Sequence, residues 1–424
     1  MLRDWTKTAA TRAWDLSFWG VRQATAPFTP AGSGEQPRAL DTVRRFGESL
    51  ITTSIDLAAG LLSPQILEPA NLLRVTGDPV ERTTETLDLL LSGGDLEMVG
   101  RELANKGEIF LLVAAVNGLI GVPERPPLPL PELAARCYAL GGFGALWAIE
   151  GLGHVYGDSA WEQGVRPRDL LSPAVTAGLP PGSLLMMHAG IGLSIAKQLL
   201  DRLTCDVTDA KLLRTVADIG RLNEENSLPG HLGAAHESLG LVTRTFHPTL
   251  VARIDRILCD WPARRGYFWH GVGRAIYFWM TNFLPCSDWQ IFAMAQREAP
   301  DEEARRNAFA GLAWAFTLVN QRQPRVMAEL LLRRYAAELG RDDAFVNGVA
   351  SALMMRQDTS PDAPFIAAFL AYQPSDAAVA ASWERLVRAP GTAALTRIYP
   401  VLRRERRLGE MFRYRPLADL EAGR

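Results

Sequence analysis

One pattern constrains this chain more than any other: a polar residue set beside glycines, returning about every 40 residues within apolar stretches of helical character. Its copies are Asn117-Gly118-Leu119-Ile120-Gly121, Glu150-Gly151-Leu152-Gly153-His154, His188-Ala189-Gly190-Ile191-Gly192, His231-Leu232-Gly233-Ala234-Ala235-His236-Glu237, His270-Gly271-Val272-Gly273-Arg274, Asn307-Ala308-Phe309-Ala310-Gly311 and Asn347-Gly348-Val349-Ala350. From Glu150 to Asn347, with His236 as the third member, successive polar positions lie 38, 48, 34, 37 and 40 residues apart. That is the size of one helix pair in a helical array. A glycine inside a helix costs about 1 kcal/mol relative to alanine. Its repeated use therefore predicts close approach of helix on helix, with one polar side chain per pair projecting to a common side. The fold expected is all-α, a helical-repeat α/α array with inward-facing polar residues beside glycines, either open and curved or closed into a ring.

Helix signals are plentiful and strand signals scarce. Asp78-Pro79-Val80-Glu81, Ser287-Asp288-Trp289-Gln290 and Ser360-Pro361-Asp362 read as capped or proline-primed helix starts. Leu330, Leu331, Tyr335 and Leu339 recur at helical spacing, with Arg333 and Arg334 turned outward. No sustained period-two stretch is present. Between Val122 and Pro131 five prolines fall within nine residues, which forbids a helix and favours a stiff, extended connector. The organisation expected is an N-terminal helical region over 1–122, a connector over 123–131 and a helical-repeat domain over 132–424.

Composition narrows the function classes. A hydrophobic content of 48% fills a sizeable core over 424 residues, while 22% charge keeps the outside wet. The net charge of −2 argues against nucleic acid, which wants a clearly basic face. Four cysteines, at 137, 205, 259 and 286, form no C-x-x-C pair. They suit a reducing cytosol rather than a disulfide framework. The N-terminus lacks the uninterrupted apolar core of a secretory signal. The longest apolar runs, Ile109–Val122 and Leu184–Ala196, fall short of the roughly 18–20 residues that span a bilayer. A cytoplasmic protein is expected, with peripheral membrane attachment through a partner as the alternative.

Several constellations could carry chemistry. Glu150 and His154 stand one helical turn apart and can face one ligand. Carboxylate-bridged di-iron bundles use Glu-x-x-His twice, whereas this chain has Glu-x-x-x-His once. A mononuclear redox metal such as iron, held by Glu150, His188, His236 and His270, stays open, as does a set of hydrogen bonds between closely packed helices. His236 and Glu237 diverge by about 100° on a helix, so one could ligate while the other lies at the surface. Glu150 or His236 could act as a general acid or base if buried. Aromatics crowd Tyr267–Trp289. They read either as a wide buried helix face or, with Trp147 and Trp314, as a wall for a long conjugated ligand. The C-terminal Arg403, Arg404, Arg406, Arg407, Arg413 and Arg415 read as a solvated helix face or a dock for an acidic partner or membrane surface. No Walker loop, strand-flanked G-x-G-x-x-G, H-E-x-x-H or G-x-S-x-G is present.

Trp147-Ala148-Ile149-Glu150-Gly151, His188 through Ala196, His236, Gly271 through Phe278, Gly311-Leu312-Ala313 and Phe345-Val346-Asn347-Gly348 resemble, in the same order over roughly 139–385, a bacterial family annotated in enediyne biosynthesis (domain of unknown function 1702). The resemblance implies antibiotic natural-product biosynthesis, in which a polyketide-derived linear polyene matures toward the alkyne-bearing enediyne core. It implies an oxidoreductase of the desaturase or acetylenase kind, alone or as a complex subunit, or else a non-catalytic polyene chaperone or scaffold. Its partners would be the polyene or polyyne and other cassette proteins, some membrane-embedded. Glu150, His188, His236, His270 and Arg274 carry over as catalytic candidates. Trp147, Trp269, Tyr277, Trp314 and Asn347 are the candidates for contacting substrate.

Overall fold

The computed structural model describes residues 96–120, 129–164, 166–204, 206–279, 288–361 and 363–423. Each copy of the motif from Glu150 onward falls on its own helix: α3 (Gly141–Glu162), α4 (Leu184–Leu200), α6 (Leu232–Phe246), α8 (Pro262–Phe278), α10 (Glu302–Asn320) and α12 (Ala344–Thr359). These six pack each against the next in chain order. Among the described residues, the longer helices between them in the chain are α5 (Asp209–Glu225), α7 (Val251–Leu258), α9 (Asp288–Glu298) and α11 (Arg333–Leu339), beside single-turn helices at Pro173–Thr176 and Pro324–Met327. Ahead of α3 come α1 (Leu96–Ile120) and α2 (Leu130–Tyr138). No strand occurs among the described residues, and the protein is all-α.

Sequence explains the division of labour. The motif helices are buried nearly all round: α10 hides an unbroken run from Asn307 to Asn320, as expected of a helix whose apolar residues do not confine themselves to one stripe. On α5, by contrast, Leu212, Val216, Ile219 and Asn223 face inward at helical spacing while Lys211, Arg214 and Asp218 stay wet. The glycines set how near the buried helices come. A Cβ added at Gly190 would stand 2.0 Å from the Glu150 carbonyl oxygen, and one at Gly240 would stand 1.8 Å from that of Phe268. Only glycine permits that approach, so its helix-propensity cost is offset by packing.

The last motif helix returns to the first. Near the end of α12, Arg356 Nη1 donates to the carbonyl oxygens of Gly142 (2.8 Å) and Phe143 (3.1 Å), and the Ser360 hydroxyl donates to Gly142 (3.1 Å). The series is therefore closed on itself. Two further segments cover its ends. α1 lies against α3 and α10. There Glu102 accepts from the Tyr277 hydroxyl (3.0 Å) and Asn105 donates to Asn320 Oδ1 (2.9 Å). At the N-terminal ends of the motif helices runs the segment 408–415. It is tied down by Gly409 N–H to Gly230 O (2.7 Å) and Tyr414 N–H to Asn307 Oδ1 (2.8 Å).

Local expectations meet the structure unevenly. Residues 121–128 of the proline-rich connector lie outside the described residues, as does the Asp78 start. Leu130 and Pro131 already belong to α2, with Pro129 at its cap, because proline is well suited to a first helical turn. Ser360 does not start a helix. It ends α12, and the next helix runs Pro364–Ala371 behind Ala363. Leu330 and Leu331 sit in a π-turn, Ala328–Leu332, ahead of α11. One described helix, Pro181–Leu200, is long and apolar enough to cross a membrane, and 72% of that window is buried inside the protein.

Candidate functional site

The interior of the closed series is crossed by one guanidinium. Arg274 on α8 donates through Nη2 to both carboxylate oxygens of Glu150 on α3 (2.8 and 3.1 Å), and through Nη1 to Glu237 Oε2 on α6 (3.0 Å). Glu237 Oε1 lies 3.2 Å from His270 Nδ1, one helical turn before Arg274. Since α4 and α6 separate α3 from α8 in the series, the Arg274–Glu150 pair spans the space the helices enclose. Glu237 and His270 are wholly buried, and Glu150 and Arg274 nearly so.

Aromatic rings surround this string. The Arg274 guanidinium lies over Trp314 of α10 at 4.6 Å. Phe412, from the covering segment, packs on Trp314 at 5.8 Å and on His270 at 6.2 Å. Three buried nitrogens here have no hydrogen-bond partner: Arg274 Nε, Trp314 Nε1 and His270 Nε2. Arg274 Nε and Trp314 Nε1 can only donate, and together they ask for an acceptor.

Two carboxylates against one guanidinium leave one negative charge uncompensated unless a proton joins the group. Burial raises the Glu150 pKa above the usual carboxylate range, aided by the Glu237 charge and opposed by Arg274. Burial lowers that of His270, opposed by Glu237. Burial also works against the Arg274 charge, but Glu150 and Glu237 outweigh it and hold its pKa high. One proton held on either Glu150 or His270 would bring the group to zero net charge. A proton passed between Glu150 and His270 would leave the total unchanged, as an acid–base pair in a dry site requires.

The remaining candidates do other work. His188 Nδ1 lies 2.6 Å from Leu184 O and its Nε2 accepts from the Leu228 N–H (2.9 Å). Both nitrogens are thus committed to backbone, and burial with the neighbouring His231 ring pushes its pKa down to about 3. His236 is buried near Tyr267, 6.1 Å between rings, and burial with Arg264 nearby takes it to about 3 as well. Neither His236 nor Glu237 is at the surface. His154 stands against Asp158 (3.5 Å). Trp269 donates to Asp255 (2.7 Å) and so fastens α8 to α7. Trp147 packs edge-on against Phe278 at 5.9 Å, and Tyr277 reaches Glu102. Asn347 donates to the Arg415 carbonyl (2.5 Å), the same covering segment that Asn307 holds.

A redox metal does not fit these residues. Among the described residues no three of His, Cys, Asp and Glu gather as a metal-holding group, so Glu150, His188, His236 and His270 do not form one ligand set. His188 has no lone pair to give, and the carboxylates of Glu150 and Glu237 are engaged by Arg274. Four of the six C-terminal arginines are paired within the chain, Arg404 and Arg407 with Glu405, Arg413 and Arg415 with Glu410.

Two features escape sequence reasoning. Phe412 sits beyond the motif series and carries no signal. Glu102 and Lys106 form an i,i+4 ion pair (2.8 Å) of the kind usually exposed, yet both are buried; their neighbouring apolar run was the one available hint. Comparison with protein-family models, with curated proteins and with solved structures gives no match to this chain.

Proposed function

We propose that this chain binds a linear, conjugated, polyketide-derived chain in the space enclosed by α3, α6, α8 and α10, as a component of enediyne-core maturation. Its acceptor end, a carbonyl or carboxylate, would take the unused hydrogens of Arg274 Nε and Trp314 Nε1. The observation that carries this reading is the set of three partnerless nitrogens around a charge-balanced string. Stable interiors pair such groups, and a site built for a ligand leaves them open. Trp314, Phe412 and Trp147 supply ring faces for a conjugated chain, and Glu150 with His270 supplies a proton that can be given or taken. The enzyme reading is thereby shifted from metal-based desaturation to binding with proton transfer, in support of oxidation carried out by a partner. Because the same ion pairs also lock α3, α6 and α8 together, a packing-only role is the competing account.

Titration of the full-length protein with a linear polyene carboxylic acid, followed by the polyene absorbance band and by tryptophan quenching, tests the proposal. Saturable binding with a red-shifted band is expected. No shift and no quenching up to the solubility limit of the polyene overturns it in favour of the packing-only role.

A further inference from the structure

An uncompensated charge lies where the series closes. Arg356, on the last turn of α12, is wholly buried, as is its neighbour Gln321 at the end of α10. The Arg356 Nε donates to Gln321 Oε1 (3.1 Å) and its Nη1 to the Gly142 and Phe143 carbonyls. The rings of Phe143 and Phe365 lie 5.3 and 5.4 Å from the guanidinium. Among the described residues no carboxylate pairs with it. The charge that acts on it is another cation, Arg322, which is itself held by Glu108. Its Nη2 and the Gln321 Nε2 are both buried and without partners.

An isolated guanidinium in a low-dielectric interior is costly unless a counter-charge is taken in with it. Burial and the Arg322 charge press the Arg356 pKa down to about 9, so the group stays charged at neutral pH. We propose that Arg356 and Gln321 form a buried site for a small monovalent anion of the halide class, held by Arg356 Nη2 and Gln321 Nε2. One charge is to be balanced and the residues are fully enclosed, so a small monovalent ion suits the place better than a phosphate. Because Arg356 is also the clasp between α12 and α3, the anion would strengthen the closure of the whole helical series. This inference is independent of ligand binding at Arg274.

Full-length protein is melted in sodium bromide and in sodium gluconate at equal ionic strength, and crystals grown in bromide are examined for anomalous scattering. The expected result is a saturable bromide-dependent rise in Tm of about 2–4 °C, with an anomalous peak beside Arg356 and Gln321. The variant Gln321→Glu places a fixed carboxylate next to Arg356. It should fold in gluconate with a Tm at least equal to that of the wild type and lose the bromide response. Equal melting in the two salts, or a bromide response that persists undiminished in Gln321→Glu, overturns the proposal.

Discussion

Glu150 and His270 meet through Arg274 and Glu237 inside the molecule, whereas His188, Asn307 and Asn347, drawn from the same sequence series, spend their hydrogen bonds on backbone. The difference follows from place along the helix. Glu150 and His270 lie in mid-helix, where the backbone is satisfied and a polar side chain must find another side chain. His188 and Asn347 lie within the first turn and a half, where loops and the 408–415 segment bring free backbone groups within reach. One motif thus serves two purposes: an interior set joined side chain to side chain, and a fastening set that closes the structure around it.

The largest effect expected from breaking this division is at its centre. Arg274→Met would leave two buried carboxylates without their cation, at a cost of about 3–5 kcal/mol, read by urea denaturation. The double variant with Glu150→Gln should recover part of that loss, and a fully additive result would mean the two do not interact. Next comes the close approach that holds the set together. Gly240→Ala would press a methyl into the Phe268 carbonyl and cost about 1–3 kcal/mol. Gly100→Ala has nothing within 4 Å, and should stabilise by up to about 1 kcal/mol. Equal effects at the two glycines would contradict packing as the reason for the motif.

In the fastening set, His188→Ala strands the half-buried Leu228 N–H and should cost about 1–2 kcal/mol, while leaving polyene binding within twofold of wild type. The same ring also gives the stability a pH dependence. His188, held at about 3 in the folded protein, binds a proton in the unfolded chain below about 6.5. The unfolded state then holds more protons, so stability contributed by neutral His188 is complete above that pH and declines as pH falls toward 3. The slope is at most about 1.4 kcal/mol per pH unit. Stability curves between pH 4 and 6.5 should be flatter for His188→Asn than for wild type by up to that amount, and an unchanged slope would show that the ring is not held neutral.

How much of this was legible in the sequence can be read from particular residues. The glycine spacing pointed to one motif per helix pair and to close helix packing, because the need for close approach is written in the absence of a side chain. Glu150, His270 and Arg274 were named from the sequence only within a larger set, and His188 and His236 of that set lie elsewhere. The direction taken by His188 was not legible, since its partners are the backbone of Leu184 and a loop residue, Leu228, which carry no side-chain signature. Glu237 was weighed as a possible ligand, but its place between His270 and Arg274 depends on the rotation of α6, which adjacent residues cannot fix. Phe412 comes from a segment that only the closed fold brings back.

Trp314 offers the most direct test that the partnerless nitrogens serve a ligand. Trp314→Phe keeps a ring beside Arg274 and removes one buried donor without a partner. The account predicts a Tm equal to or above that of the wild type, with binding of the polyene acid weakened about tenfold, or about 1.4 kcal/mol. Polyene affinity equal to that of the wild type, with a lowered Tm, would contradict it.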